Sequence, residues 1–325
     1  MATAKEIKGK MGSVKSTQKI TRAMELIAAS KMRNARHRME TARPYAESAR
    51  QIIRHVALSH PEYRHPYLGL KNHLSNESSS EKLDARKIGI ILVSTDRGLC
   101  GGLNINLFRE VSSALLRFKQ QKVKVQVAVI GQKGQTFMRG CDLENDVEIL
   151  AAKAQLGDKP KLPDVIGCVQ VMLDAFDSGE IEELYLFSNA FVTTVKQSPY
   201  QLKLLPIEKA EDLKAALHVQ QELHGKTEGI EPLSSESAYW DYLYEPEAKV
   251  VLNQLFKRYI ESQVYQGVVE NIACEQAARM VAMKNATDNA GKMLQELKLK
   301  YNKARQAAIT QELAEIVSGA DAQNN

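Results

Sequence analysis

The densest group of potentially reactive side chains lies at residues 94–104 (STDRGLCGGLN), directly after a continuous apolar run at 87–93 (KIGIILV). A glycine-rich loop between a strand and a helix is a common phosphate site, because backbone N–H groups and the helix N-terminus face the anion. This loop matches neither G-x-x-x-x-G-K-[ST] nor G-x-G-x-x-G. Cys100, among glycines near a helix start, has the placement of an activated thiol, but no histidine lies near it in sequence. Asp96 is the loop's single carboxylate and supplies no acid/base pair. The segment therefore reads as a structural strand-to-helix turn, with a nucleophilic Cys100 as the alternative. The turn at 131–134 (GQKG) is of low specificity. His55, His60 and His65 are evenly spaced, but Pro61 keeps them off one helix face. No catalytic, cofactor-binding or metal-ligating residue is assigned.

The elements that must position this loop alternate between strand and helix. Strands are expected at 87–94, 123–130 and 147–151, and helices at 104–121, 132–139 and 164–178, the last opened by Pro163. Two further strands, 184–195 and 201–207, are expected to form an edge hairpin turning at 197–199. Strand–helix alternation of this kind predicts a small, mostly parallel, Rossmann-like α/β domain spanning 87–207. Residues 57–86 hold two prolines and a serine cluster and read as a loop. Residues 208–245 form a second polar region, with a short helix possible in pattern at 211–223 and the segment 240–245 (WDYLYE) at its end.

Both ends of the chain are helical on a longer scale. From Pro246 to Asn325 there is no further proline, and only Gly267, Gly291 and Gly319 interrupt a run of helix formers. Pro246 suits a first helical position and Gly319 a residue just past the end, giving a helix about 105 Å long. Its apolar positions step by three and four through Met280, Met283, Ala290, Leu294, Leu297, Tyr301, Ala304 and Ala308, with Thr287 in the one gap. That is a coiled-coil seam, and a seam needs a partner. Residues 1–56 supply one: Ile7, Met11, Val14, Gln18, Thr21, Glu25, Ala28, Met32, Ala35, Met39, Ala42, Ala46, Ala49, Ile53 and Val56. Only Gln18, Thr21 and Glu25 break it, and there the apolar face moves to Ile20, Ala23, Met24 and Ile27, which predicts a local stutter. Pro44 predicts a kink rather than a stop. The fold class expected is α/β: a long antiparallel coiled coil of residues 1–56 and 246–325 plus the small domain.

Charge is distributed unevenly. Residues 1–56 carry 13 Lys and Arg against 4 Asp and Glu, whereas 57–246 carry 21 against 26. A helix this basic calls for an acidic partner. Nucleic acid is disfavoured because Tyr45 is the single aromatic residue in 1–56, so the helix has no stacking platform. No apolar run reaches 18 residues, and the N-terminus has the pattern of neither a secretory signal nor a transit peptide. Cys100, Cys141, Cys168 and Cys274 lack paired spacing, as expected of free thiols in a reducing compartment.

Several segments together resemble the gamma subunit of the F-type ATP synthase, in its bacterial form. Residues 15–24 (KSTQKITRAM) and 28–33 (AASKMR) are similar to that family's N-terminal helix, and 94–104 to its central loop. Residues 275–289 (EQAARMVAMKNATDN) and 309–320 (ITQELAEIVSGA) are similar to its C-terminal helix. Cys274 stands where serine is common, and 208–238 is longer than usual. The resemblance implies a non-catalytic rotor shaft without cofactor. Its helices would pass through a ring of three alpha and three beta subunits. Its foot would meet the epsilon subunit and the c ring, at the cytoplasmic face of the inner membrane. It further implies that Met24, Arg279, Arg305, Gln306, Thr310 and Glu312 contact the alpha/beta head, and that Tyr242 and Glu245 contact the c ring. The alternatives are a coiled-coil scaffold or nucleic-acid-binding protein using the basic helix, and an α/β enzyme with helical oligomerisation arms.

Overall fold

The structure is a computed structural model describing residues 4–59, 67, 87–141, 146–207 and 248–323. Ten elements follow in chain order: α1 (Ala4–Ser59), β1 (Lys87–Val93), α2 (Leu103–Gln120), β2 (Lys124–Ile130), α3 (Gln132–Gly140), β3 (Val147–Lys153), α4 (Leu162–Asp177), β4 (Glu183–Phe191), β5 (Gln197–Leu205) and α5 (Ala248–Gln323). The expected short helix at 211–223 and the start of the C-terminal helix at Pro246 lie outside the described residues. The chain divides into two compact units: Met1–Ala29 with Arg279–Asn325, and Ser30–Ala278.

The second unit is built on a five-stranded sheet in the order β3-β2-β1-β4-β5. The β1–β2, β1–β4 and β2–β3 pairs are parallel, and β4–β5 is antiparallel. Strand side chains alternate between two cores, as a sheet covered on both faces requires. Ile88, Ile90 and Leu92 of β1 join Leu107, Val111 and Phe118 of α2 on one face. Ile91 and Val93 join Val169, Met172 and Leu173 of α4 on the other. Phe256, Ile260, Val264 and Val268 of α5 pack on that second face too. Tyr67 is anchored there, edge-on to Phe176 and Phe256, and its carbonyl accepts from Ile207 N–H at 2.6 Å.

The edge hairpin forms, but its turn lies earlier than the sequence suggests. Residues 192–196 make it: Thr193 Oγ1 accepts from the N–H groups of Val195 and Lys196, and Thr193 N–H donates to Lys196 O at 2.9 Å. Pro199 therefore sits inside β5, opposite Asn189. An edge strand tolerates a residue with no N–H, so proline was a misleading turn signal here.

Within this unit α5 serves two neighbours at once. From Tyr259 to Ala278 nearly every residue is buried or half-buried. One side lies on the sheet. There Ser188 Oγ donates to Gly267 O at 3.0 Å, Asn189 Nδ2 donates to Asn271 Oδ1 at 2.9 Å, and Phe191 N–H donates to Glu270 Oε1 at 2.8 Å. Another side joins Ala35 and Met39 of α1 through Val269, Ala273, Ala277 and Ala278. Gly267 marks the closest approach to the sheet, since a Cβ there would lie 3.2 Å from Leu186 Cδ2 and 3.3 Å from the Tyr200 hydroxyl.

In the first unit α1 and α5 pair as an antiparallel coil. Thr21 meets Thr287 through their hydroxyls at 2.8 Å, while Gln18, earlier in α1, lies beside Gly291, later in α5. The N- and C-terminal helices thus pack together, as expected. Three local expectations fail. No stutter occurs: Thr21 is buried, whereas Ile20 and Ile27 are exposed. Ala308 is exposed, and among the described residues nothing faces that turn. Gly319 does not end α5, which runs through to Gln323; one glycine in a helix costs only about 1 kcal/mol. The seam positions from Ala42 onward lie outside the described side chains, while α1 passes through Pro44 without stopping.

Gly267→Leu should overpack the α5–sheet contact and destabilise the chain by about 1–3 kcal/mol. Thermal melting of the isolated chain checks this, with an unchanged midpoint contradicting the close packing.

Candidate functional site

The loop that looked reactive is closed in on itself. Asn104 Nδ2 donates to Thr95 Oγ1 at 2.7 Å, and Thr95 Oγ1 donates to Arg97 O at 2.7 Å. Gly134 N–H donates to Ser94 Oγ at 2.7 Å, which in turn donates to Ile130 O at 3.1 Å. Asp96 takes three backbone N–H groups, from Gln132, Gln155 and Leu156. These bonds occupy the C-terminal ends of the parallel strands, the position where an open α/β sheet would hold a ligand. Gly131 permits the tight approach: its φ is +103°, and a Cβ there would collide with Ser94. Cys100 is buried against α1 and α5 with Ala35, Met39 and Ala277. Burial also pushes the Cys168 and Cys274 thiols above their ordinary range, so neither is poised as a thiolate. Among the described residues no cluster of three metal-ligating side chains occurs, and no helix is long and apolar enough to cross a membrane.

The remaining candidate is the surface of the paired helices. Two polar gaps in the seam coincide: Thr21 and Thr287 hydrogen-bond across it. Each hydroxyl also has a carbonyl within reach on its own helix, Gln18 O at 3.1 Å and Met283 O at 2.8 Å. One hydroxyl can therefore donate along its helix while the other donates across. Gln18 Nε2 adds a 3.4 Å bond to Thr287 O. Heptad spacing implies the seam, but by polarity alone residues 18 and 21 read as a break in it. Their match to Thr287 was the signal available in the sequence.

Of the six residues expected to meet a surrounding head, four lie on the last stretch of α5. Arg305, Gln306, Thr310 and Glu312 are all exposed, and Thr310 Oγ1 donates to Gln306 O at 2.9 Å. Met24 is half-buried beside the seam, and Arg279 is already buried within the chain. Tyr242 and Glu245 lie outside the described residues. The expectation overlooked the apolar members of the same stretch: Ile309, Leu313 and Ile316 are exposed, Ile316 by 67%. They recur at helical spacing, and among the described residues no helix faces them.

An ATP synthase family model matches residues 3–323. The ATP synthase gamma chain of Nitrosococcus oceani is 52% identical over 322 residues, covering 99% of this chain and 100% of that protein. This chain belongs to the ATP synthase gamma-chain family. Solved structures share the fold at lower identity. The central stalk and c-ring structure of the Tetrahymena thermophila mitochondrial ATP synthase contains a chain 20% identical, with TM-score 0.56, covering 82% of this chain and 99% of that one. A rotor chain of the Euglena gracilis mitochondrial ATP synthase is 18% identical with TM-score 0.56, covering 94% of this chain and 98% of that one. Membership in the gamma-chain family accords with a loop whose polar groups are spent on internal bonds and with paired helices that expose their tip.

The seam hydroxyls give a double-mutant prediction. Thr21→Val or Thr287→Val alone should cost about 0.5–1.5 kcal/mol, because one hydrogen-bonding partner is lost. The double variant should cost less than the two together, since both polar groups leave the seam. Denaturant unfolding of the four proteins measures the coupling, and strict additivity would mean the hydroxyls do not interact.

Proposed function

We propose that this chain is the central rotor shaft of an F-type ATP synthase and is itself non-catalytic. The observation that carries this reading is the full-length match to a gamma chain; the physical support is α5, which continues beyond α1 with an apolar and polar tip exposed. In this reading the tip stands inside a ring of three alpha and three beta subunits. The α/β domain faces the epsilon subunit and the c ring, with Tyr242 and Glu245 against the ring. Membrane association, at the cytoplasmic face of a bacterial inner membrane, is through the complex alone.

The mechanism follows from symmetry. A single asymmetric shaft meets three beta subunits in three different ways. Each beta subunit is held in a different conformation, and a bias on conformation is a bias on nucleotide affinity. The coupling is reciprocal: proton-driven turning of the shaft changes which site binds, makes or releases ATP, and hydrolysis turns it the other way. Arg305, Gln306, Thr310 and Glu312 are the exposed groups that read the ring in this scheme, with Met24 and Arg279 lower on the paired helices. The acidic partner of the basic N-terminal helix is then a segment of the beta subunits.

Two outcomes are expected. The purified chain alone should hydrolyse no ATP, and activity that follows this chain through purification without alpha and beta subunits would contradict the reading. Arg305→Ala should leave helicity and melting unchanged, because the residue is exposed and alanine is the best helix former. ATP-driven proton pumping by the reconstituted complex should nonetheless fall, since losing a charged hydrogen-bonding group at an interface can cost about 2–5 kcal/mol. Normal pumping by a folded Arg305→Ala complex would remove Arg305 from the contact set.

A further inference from the structure

A shaft that turns against a load must be fastened to its foot by bonds that resist sliding. The apolar packing of Ala35 and Met39 of α1 with Val269, Ala273 and Ala277 of α5 opposes separation, yet it is non-directional. Directional bonds are found nearby, in the loop between β3 and α4. Asp158 Oδ2 meets Lys31 Nζ at 2.7 Å, and Asp158 O accepts from Arg38 Nη1 at 2.6 Å. Lys31 and Arg38 lie two turns apart on α1, so both hold one face of it. The same loop reaches α5, where the Tyr265 hydroxyl donates to Pro160 O at 3.3 Å.

What holds the loop is Asp96. Its Oδ1 accepts from Gln132 N–H and Gln155 N–H, and its Oδ2 from Leu156 N–H, each at 3.0 Å. One side chain thereby ties the loop after β1 to the first turn of α3 and to the loop after β3. Gln155 and Gly157 both have positive φ, 61° and 69°. A non-glycine residue keeps that backbone shape only where its surroundings fix it, and the bonds to Asp96 supply the fixing. An exposed ion pair such as Lys31–Asp158 is weak when its partners are mobile; anchoring its acidic member removes much of that penalty.

We propose that Asp96 is a positioning residue for torque transfer: by fixing residues 155–156 it presents Asp158 to Lys31 and Arg38 and so locks α1 to the α/β domain. This deepens the rotor reading and rests on it. The test uses the assembled complex in vesicles, with ATP hydrolysis and ATP-driven proton pumping measured on the same preparation. Hydrolysis should persist in Asp96→Ala while protons moved per ATP fall several-fold. Asp96→Asn keeps one acceptor oxygen and should fall between Asp96→Ala and the parent. Lys31→Ala/Arg38→Ala keeps Asp96 and its three backbone bonds and should reproduce the loss, which keeps the question open to test even where Asp96→Ala fails to assemble. A short bismaleimide joining Lys31→Cys to Asp158→Cys, in an Asp96→Ala, Cys141→Ser background, should restore pumping.

Normal pumping by Lys31→Ala/Arg38→Ala would overturn the clamp and leave the rotor reading intact. A loss in Asp96→Ala that the bridge does not repair would assign Asp96 to local folding and likewise overturn it. The rotor reading itself would fail by a different result: pumping by the parent complex that persists when the shaft is covalently locked to the surrounding ring.

Discussion

Segment 259–278 of α5 has to be a sheet-covering helix and a coil partner at the same time, and the rest of the second unit is arranged around that constraint. A helix buried all round leaves no side for polar side chains to reach water, so each must find a protein partner. Glu270 accepts from the N–H of Phe191, and Asn271 accepts from Asn189. Gly267 lets the helix backbone come close enough for Ser188 to bond its carbonyl. Small residues on the opposite side, Ala273, Ala277 and Ala278, let Ala35 and Met39 approach. A helix committed on two sides cannot turn about its axis without breaking one set of contacts. That property suits a shaft rooted in a foot, whatever the chemistry performed elsewhere in the complex.

The paired helices of the first unit solve a different problem. A seam of alanine, methionine and leucine is indifferent to a slip of one heptad. Burying a hydroxyl at 21 and another at 287 removes that indifference, because any other register would leave a buried hydroxyl facing methyl groups. The polar pair contributes little net stability and much specificity of register. Beyond the start of α1 the seam has no partner among the described residues, and Ile309, Leu313 and Ile316 are exposed. The charge pattern changes over the same distance, from the strongly basic α1 to the nearly balanced C-terminal helix.

Much of this was legible in the sequence, because the relevant signals are periodic. Steps of three and four placed both long helices and most of their seam, and the strand–helix alternation gave a mostly parallel sheet with an antiparallel edge. The failures came where one residue type has two physical uses. Pro199 has the signature of a turn and is an edge-strand residue; Gly319 has the signature of a helix stop and lies within α5. Gln18 and Thr21 look like a break in the seam, since polarity alone does not disclose a partner 266 residues away in sequence. The role of Asp96 was missed for the same reason. A lone carboxylate in a glycine loop suggests an acid or base, and its three backbone donors come from segments that only the fold brings together.

The proposed function requires the chain to turn relative to the subunits around it. Multi-site ATP hydrolysis by the assembled complex tests this most directly, with the tip of α5 joined to a neighbouring beta subunit through a reducible disulfide. Turnover should stop on oxidation and return on reduction. Full steady-state turnover in a completely cross-linked sample would contradict it.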